Sequence, residues 1–145
     1  MYRHILIATD GSELAEKAVT DALALAKALG ARVTAVTVTD MYPTGPYSAI
    51  PTPSMVERYE DDAAENANKI LASVSAAAKK LGVTCETRHV KDQMPAEGIV
   101  SAATEGGCDL IVMSSHGRRG VARVLLGSQA QKVITYSPVP VLVCR

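Results

Sequence analysis

Apolar residues along this chain recur in two alternating patterns. Ile5-Leu-Ile-Ala8 is a short unbroken apolar run, too short for a helix and β-branched enough for a buried strand. Thr9-Asp-Gly-Ser12 breaks it, with Ser12 placed to cap a helix and Glu13 favourable in its first turn. Ala15, Ala18, Val19, Ala22, Leu23, Ala26 and Leu29 then repeat at three- and four-residue steps, the stripe of an amphipathic helix. Gly30 ends it, where a left-handed residue is wanted. Arg32 to Val38 reads as a second strand, closing at Thr39-Asp40. Residues 41–53 hold four prolines and Gly45, a composition that excludes helix and central strand. A helical period returns from Ser54 to Leu81, carried by Val56, Tyr59, Ala63, Ala67, Ile70, Val74, Ala77, Ala78 and Leu81, and Gly82 punctuates it. Val83 to Lys91 alternates more weakly, as a strand at a sheet edge does. Pro95 opens another helix, with Ile99, Ala102 and Ala103 on its apolar face and Gly106-Gly107 as its stop. Cys108 to Ser114 predicts a fourth strand, about Ser128 to Tyr136 a short helix broken by Ser137-Pro138, and Pro140 to Cys144 a final strand.

Helices inserted regularly between strands imply right-handed crossovers and a parallel sheet covered on both faces. With no internal repeat and no linker-like stretch, residues 1–145 are expected to form one domain. Apolar residues make up 48% of the chain, enough for a substantial core. That core must be aliphatic, because Phe and Trp are absent and five tyrosines are the only aromatics. Fifteen basic and fifteen acidic residues cancel, so no global field favours nucleic acid or an anionic membrane. Cys85, Cys108 and Cys144 form no C-x-x-C pair and argue against disulfides and a zinc site; Cys85 and Cys108 are expected as buried free thiols. No apolar run approaches the ~20 residues of a membrane span. The N-terminus enters a strand without a signal-peptide pattern, so the expected location is the cytoplasm.

The chemistry concentrates between Met113 and Ser128. This segment follows a buried strand, contains Gly117, Gly120 and Gly127, and ends just before a helix. Glycines let a backbone approach an anion, and a helix N-terminus offers free N–H groups at its positive dipole end. His116, Arg118, Arg119 and Arg123 lie in the same window, so the segment reads as a phosphate seat. Taken alone, the spacing Gly117-x-x-Gly120 is equally that of a surface turn. Two other phosphate motifs are absent: there is no G-x-x-x-x-G-K-[ST], and no G-x-G-x-x-G follows the first strand. Ligands of open parallel sheets bind beyond the strands' carboxyl ends. If strands one and four are neighbours there, Asp10 faces the glycine segment, where it would serve a phosphate-bound Mg²⁺ or act as a turn carboxylate bonding backbone N–H groups. His4 and His89 lie on separate strands without metal-ligand spacing and are expected to be structural. His116 is expected as a solvated loop residue. The loop carrying Tyr42 and Tyr47 would either fold over a ligand or lack fixed structure.

These residues together resemble the universal stress proteins, over nearly the whole chain. The resemblance rests on Ala8-Thr-Asp-Gly-Ser12, Asp109-Leu-Ile-Val-Met113 and Pro138-Val-Pro-Val-Leu-Val143. Its nucleotide-binding branch carries a glycine, two residues, a glycine, nine residues, then Gly-Ser or Gly-Thr. Here Gly117, residues 118–126 and Gly127-Ser128 fit that pattern, while Ser114 stands where the first glycine is expected. A serine there either lends its hydroxyl to a phosphate or, if the position takes positive φ, crowds the ligand. The expected fold is thus an α/β, Rossmann-like single domain, an open five-stranded parallel sheet of order 3-2-1-4-5 with helices on both faces. The resemblance implies an ATP-binding, homodimeric stress-response module with at most slow hydrolysis. In it Ala8, Thr9 and Asp10 would line the nucleotide, Val38 would meet the adenine and Met113 the nucleoside. Gly117 would pass N–H groups to the phosphates, with Gly127, Ser128 and the N–H of Gln129 at the distal ones. Arg118 and Arg119 are added on charge alone. The dimer would pair the strand at 140–144, a short, uncharged edge. The alternative is a stress protein that binds no nucleotide and works through protein contacts.

Overall fold

The computed structural model describes residues 1–117 and 125–145. In chain order its elements are β1 (His4–Ala8), α1 (Glu13–Leu29), β2 (Arg32–Thr39), α2 (Pro53–Leu81), β3 (Cys85–Lys91), α3 (Pro95–Glu105), β4 (Leu110–Ser114), α4 (Ser128–Tyr136) and β5 (Val141–Cys144). The strands form one sheet of order β3-β2-β1-β4-β5, parallel throughout. Ile5 pairs with Val33 on one side and Leu110 on the other, which puts β1 at the centre.

The unbroken apolar run of β1 has a simple cause. Successive strand residues point to opposite faces. Ile5 and Ile7 enter a core with Val19 and Leu23 of α1 and Leu71 and Val74 of α2. Leu6 and Ala8 enter a second core with Ile99 and Ala103 of α3 and Ala130 and Val133 of α4. Both faces being covered, no polar position survives in β1 beyond its first residue, His4.

Helix ends form as their sequences dictate. The Ser12 hydroxyl accepts from Ala15 N and caps α1, while Gly30 closes it at φ 64°. The Thr52 hydroxyl does the same for α2 by accepting from Met55 N. Three helix positions depart from expectation: Leu29 and Leu81 are exposed, and Leu71, absent from the predicted stripe, is buried. Leu29 and Leu81 are the last residues of α1 and α2. Gly98 has a packing role: a Cβ there would meet the two Val38 methyls at 2.8 and 2.9 Å. Glycine inside a helix costs roughly 1 kcal/mol relative to alanine; here it lets α3 lie directly on β2.

At the amino ends of the strands, His4 is 5% exposed and its Nε2 lies 2.8 Å from Thr34 Oγ1. Burial, and then the nearby Arg32 charge, hold its pKa below the ordinary histidine value. The Asp109 carboxylate accepts from Arg3 N and His4 N. Burial pulls its pKa upward, but these N–H bonds outweigh burial and the net shift is down. His89 pairs with Thr39 at 2.7 Å. Both histidines therefore serve structure. All three cysteines are free thiols, but Cys108 alone is fully buried, Cys85 and Cys144 being half-buried. Burial pushes the Cys108 thiol up to about 11.

Candidate functional site

Helices α1 and α2 pack on one face of the sheet, α3 and α4 on the other. The crossovers from β1 and β4, neighbours in the sheet, therefore leave in opposite directions and open a crevice at their carboxyl ends. A cleft of about 620 Å³ lies there, within the range of small-ligand sites.

One wall is the β1–α1 turn. The Thr9 N–H donates to Val36 O, Thr9 O accepts the Thr37 hydroxyl, and Thr9 Oγ1 accepts Gly11 N–H. Asp10 Oδ1 accepts the Ser12 N–H at 3.0 Å, so the turn role expected of this carboxylate is present. Asp10 also lines the cleft, and a Cβ on Gly117 would sit 2.6 Å from its Oδ2. The glycine segment thus passes directly against Asp10.

The opposite wall is the end of β4 and the start of α4. Ser115 anchors both: its N–H donates to Cys144 O at 2.8 Å, and its carbonyl accepts the Gly127 N–H at 2.9 Å. That second bond returns the chain from residue 127 to the tip of β4. A Cβ on Gly127 would lie 2.7 Å from the same carbonyl oxygen, so the closure needs a glycine. Among the described residues, α4 starts with no side-chain cap. Ser12 and Thr52 cap α1 and α2; α3 has no cap of its own, but Gln129 Oε1 accepts Ala96 N at its head. An uncapped helix start opening on a cleft favours an anion.

Ser114 is the last residue of β4, 7% exposed. Its backbone is not at positive φ; among the described residues Asp92 is the one non-glycine residue that is. The crowding expected from a left-handed position therefore does not arise. Its hydroxyl donates to His116 O at 2.7 Å, so its one proton fastens the loop.

Of the residues assigned from the sequence, Ala8, Thr9, Asp10, Val38, Met113, Ser114, Gly117, Gly127, Ser128 and Gln129 all line this one cleft. Arg118, with Arg119, Gly120 and Arg123, lies outside the described residues. His116 departs from expectation. It is half-buried, lines the cleft, and its Nδ1 lies 3.0 Å from Ser115 Oγ, because the β4 ladder holds Ser115 inward. Asp40 was also missed as a site residue, although it sits at a strand end. It lines the cleft, its carbonyl accepts the Tyr59 hydroxyl, and its buried Oδ1 has no hydrogen-bond partner among the described residues. Met94, Pro95 and Ile99 supply an apolar wall that the sequence does not announce, since only the packing of α3 on β2 brings them over. Tyr42 stacks edge-on against Tyr59 and Tyr47 is fully exposed; neither lines the cleft.

Fold and cleft define a doubly wound α/β protein with a crevice at the switch point of its sheet. The chain belongs to the universal stress protein family, whose family model matches residues 1–145. A universal stress protein of Thermus aquaticus is 37% identical over 145 residues, covering 100% of both chains. The solved structure of universal stress protein UspA from Lactobacillus plantarum superposes with a TM-score of 0.84 at 27% identity, covering 99% of this chain and 98% of that one. A universal stress protein solved in complex with cAMP aligns with a TM-score of 0.73 at 28% identity, covering 99% and 97%. Among the described residues no helix is long and apolar enough to cross a membrane.

Proposed function

We propose that this protein binds ATP in the cleft and serves as a homodimeric, cytoplasmic regulatory module of the stress response, hydrolysing ATP slowly at most. The observation that carries the reading is the uncapped start of α4, held by the Gly127–Ser115 bond at the mouth of the cleft. Phosphates would receive the N–H groups of Gly127, Ser128 and Gln129, with Gly117 passing close by. The base and ribose would lie between Val38, Met113 and the turn of Ala8, Thr9 and Asp10. The related protein that binds cAMP supports an adenine nucleotide as occupant. Mg²⁺ fits as an ion shared between Asp10 and the phosphates, because it takes one or two carboxylates together with phosphate oxygens. When bound, it would neutralise phosphate charge.

The two sheet edges support the dimer. β3 carries Glu86, Arg88 and Lys91, charges that discourage pairing. β5 is uncharged and leaves Leu142 43% exposed, an edge suited to a second copy of the same strand.

Mass spectrometry of ligand released from freshly purified protein, with calorimetry of ATP with and without Mg²⁺, tests the reading. ATP is expected to be recovered or to bind, and Ser128→Tyr to abolish binding while the fold persists. Nucleotide-free protein with no calorimetric response would overturn it and leave a stress protein acting through protein contacts.

A further inference from the structure

His116 lies at the phosphate end of the cleft in an arrangement that gives it a task. One ring nitrogen is engaged: Nδ1 lies 3.0 Å from Ser115 Oγ, and Ser115 is itself 5% exposed and pinned by its backbone to Cys144 and Gly127. The other side of the ring faces the start of α4, with Cδ2 3.5 Å from the place a Cβ on Gly127 would take. Nε2, bonded to that carbon, makes no hydrogen bond to a described residue. We propose that His116 is a phosphate ligand of the nucleotide, presenting Nε2–H beside the start of α4, with Ser115 as its positioning residue.

The pair works in both protonation states. In the Nε2–H tautomer of the neutral ring the Ser115 hydroxyl donates to Nδ1, and Nε2–H is left for a phosphate. With a charged ring, Nδ1–H donates to the Ser115 oxygen instead, and Nε2–H makes a charge-assisted bond.

This inference rests on the nucleotide reading, and the experiment separates the two. ATP and adenosine are titrated calorimetrically into the wild type and His116→Leu, which keeps much of the ring's bulk but offers no donor. The variant is expected to bind ATP about tenfold more weakly than the wild type. Adenosine affinity should be the same in both proteins. His116→Ala carries the same expectation if the leucine variant does not fold. An equal ATP affinity in variant and wild type overturns the assignment, as does an equal loss of ATP and adenosine. A wild type that binds adenosine but shows no gain from the phosphates overturns it while leaving a nucleoside site. A wild type that binds neither overturns the nucleotide reading and this inference together.

Discussion

Gly127→Ala tests the closure of the cleft most directly. Its Cβ would lie 2.7 Å from the Ser115 carbonyl oxygen, against at least 3.4 Å for an ordinary contact. The oxygen cannot turn aside, because it accepts the N–H of the same residue at 2.9 Å. Backbone conformation is not at issue: φ −60° and ψ 149° suit alanine. Alanine even removes freedom from the unfolded chain, worth roughly 0.4–1 kcal/mol in favour of folding. Against this stand the overlap, about 1–3 kcal/mol for forcing a methyl into a filled space, and a stretched hydrogen bond, about 1 kcal/mol. The expected net effect is a destabilisation of about 2 kcal/mol, seen as a lower urea midpoint at unchanged slope by far-ultraviolet dichroism. For a chain of this size that corresponds to a fall in Tm of about 4–8 °C. A variant as stable as the wild type, or more stable, would refute the reasoning, because it would mean that residue 127 does not rest on Ser115.

Two further outcomes follow from the geometry. Ser114→Gly, which restores the family's glycine, should lower stability by about 1–2 kcal/mol through the lost hydroxyl bond to His116 O and a looser strand end; calorimetry should show ATP affinity changed less than about threefold, since Ser114 is not at positive φ. His4 has a pKa lowered from 6.5 by burial and then by Arg32, so the unfolded chain takes up the proton first. Its contribution to stability is present above pH 6.5 and is lost as pH falls through the lower folded value. Urea midpoints measured from pH 8 down to pH 5 should therefore fall, and His4→Gln should flatten part of that slope, His89 contributing in the same direction.

Most of the architecture is legible in the chain because its local signals agree. Ser12, Gly30 and Gly82 sit where helices start or stop, and β1 and β4 are too apolar to lie anywhere but the sheet's centre. Strand ends then indicate where the cleft must be, and glycine spacing indicates which loop closes it. Contacts between distant segments are not legible in this way. Nothing in the sequence around Gly98 announces the Val38 methyls beneath it. The spacing that assigns the Gln129 N–H to a phosphate says nothing of its side chain, whose amide oxygen meets Ala96 N. The burial of His116 depends on Ser115 being held between β5 and Gly127, a three-body arrangement with no sequence period.

The aliphatic core has a consequence for how this protein can be watched. With no tryptophan and no fully buried tyrosine, its interior is optically silent. The ring pair Tyr42–Tyr59 stands 5.3 Å apart, and the Tyr59 hydroxyl donates to the carbonyl of Asp40, a residue of the cleft wall. Near-ultraviolet dichroism of the tyrosines therefore includes a ring pair one hydrogen bond away from the cleft. A change in it on adding a ligand reports on that side of the site without any introduced label.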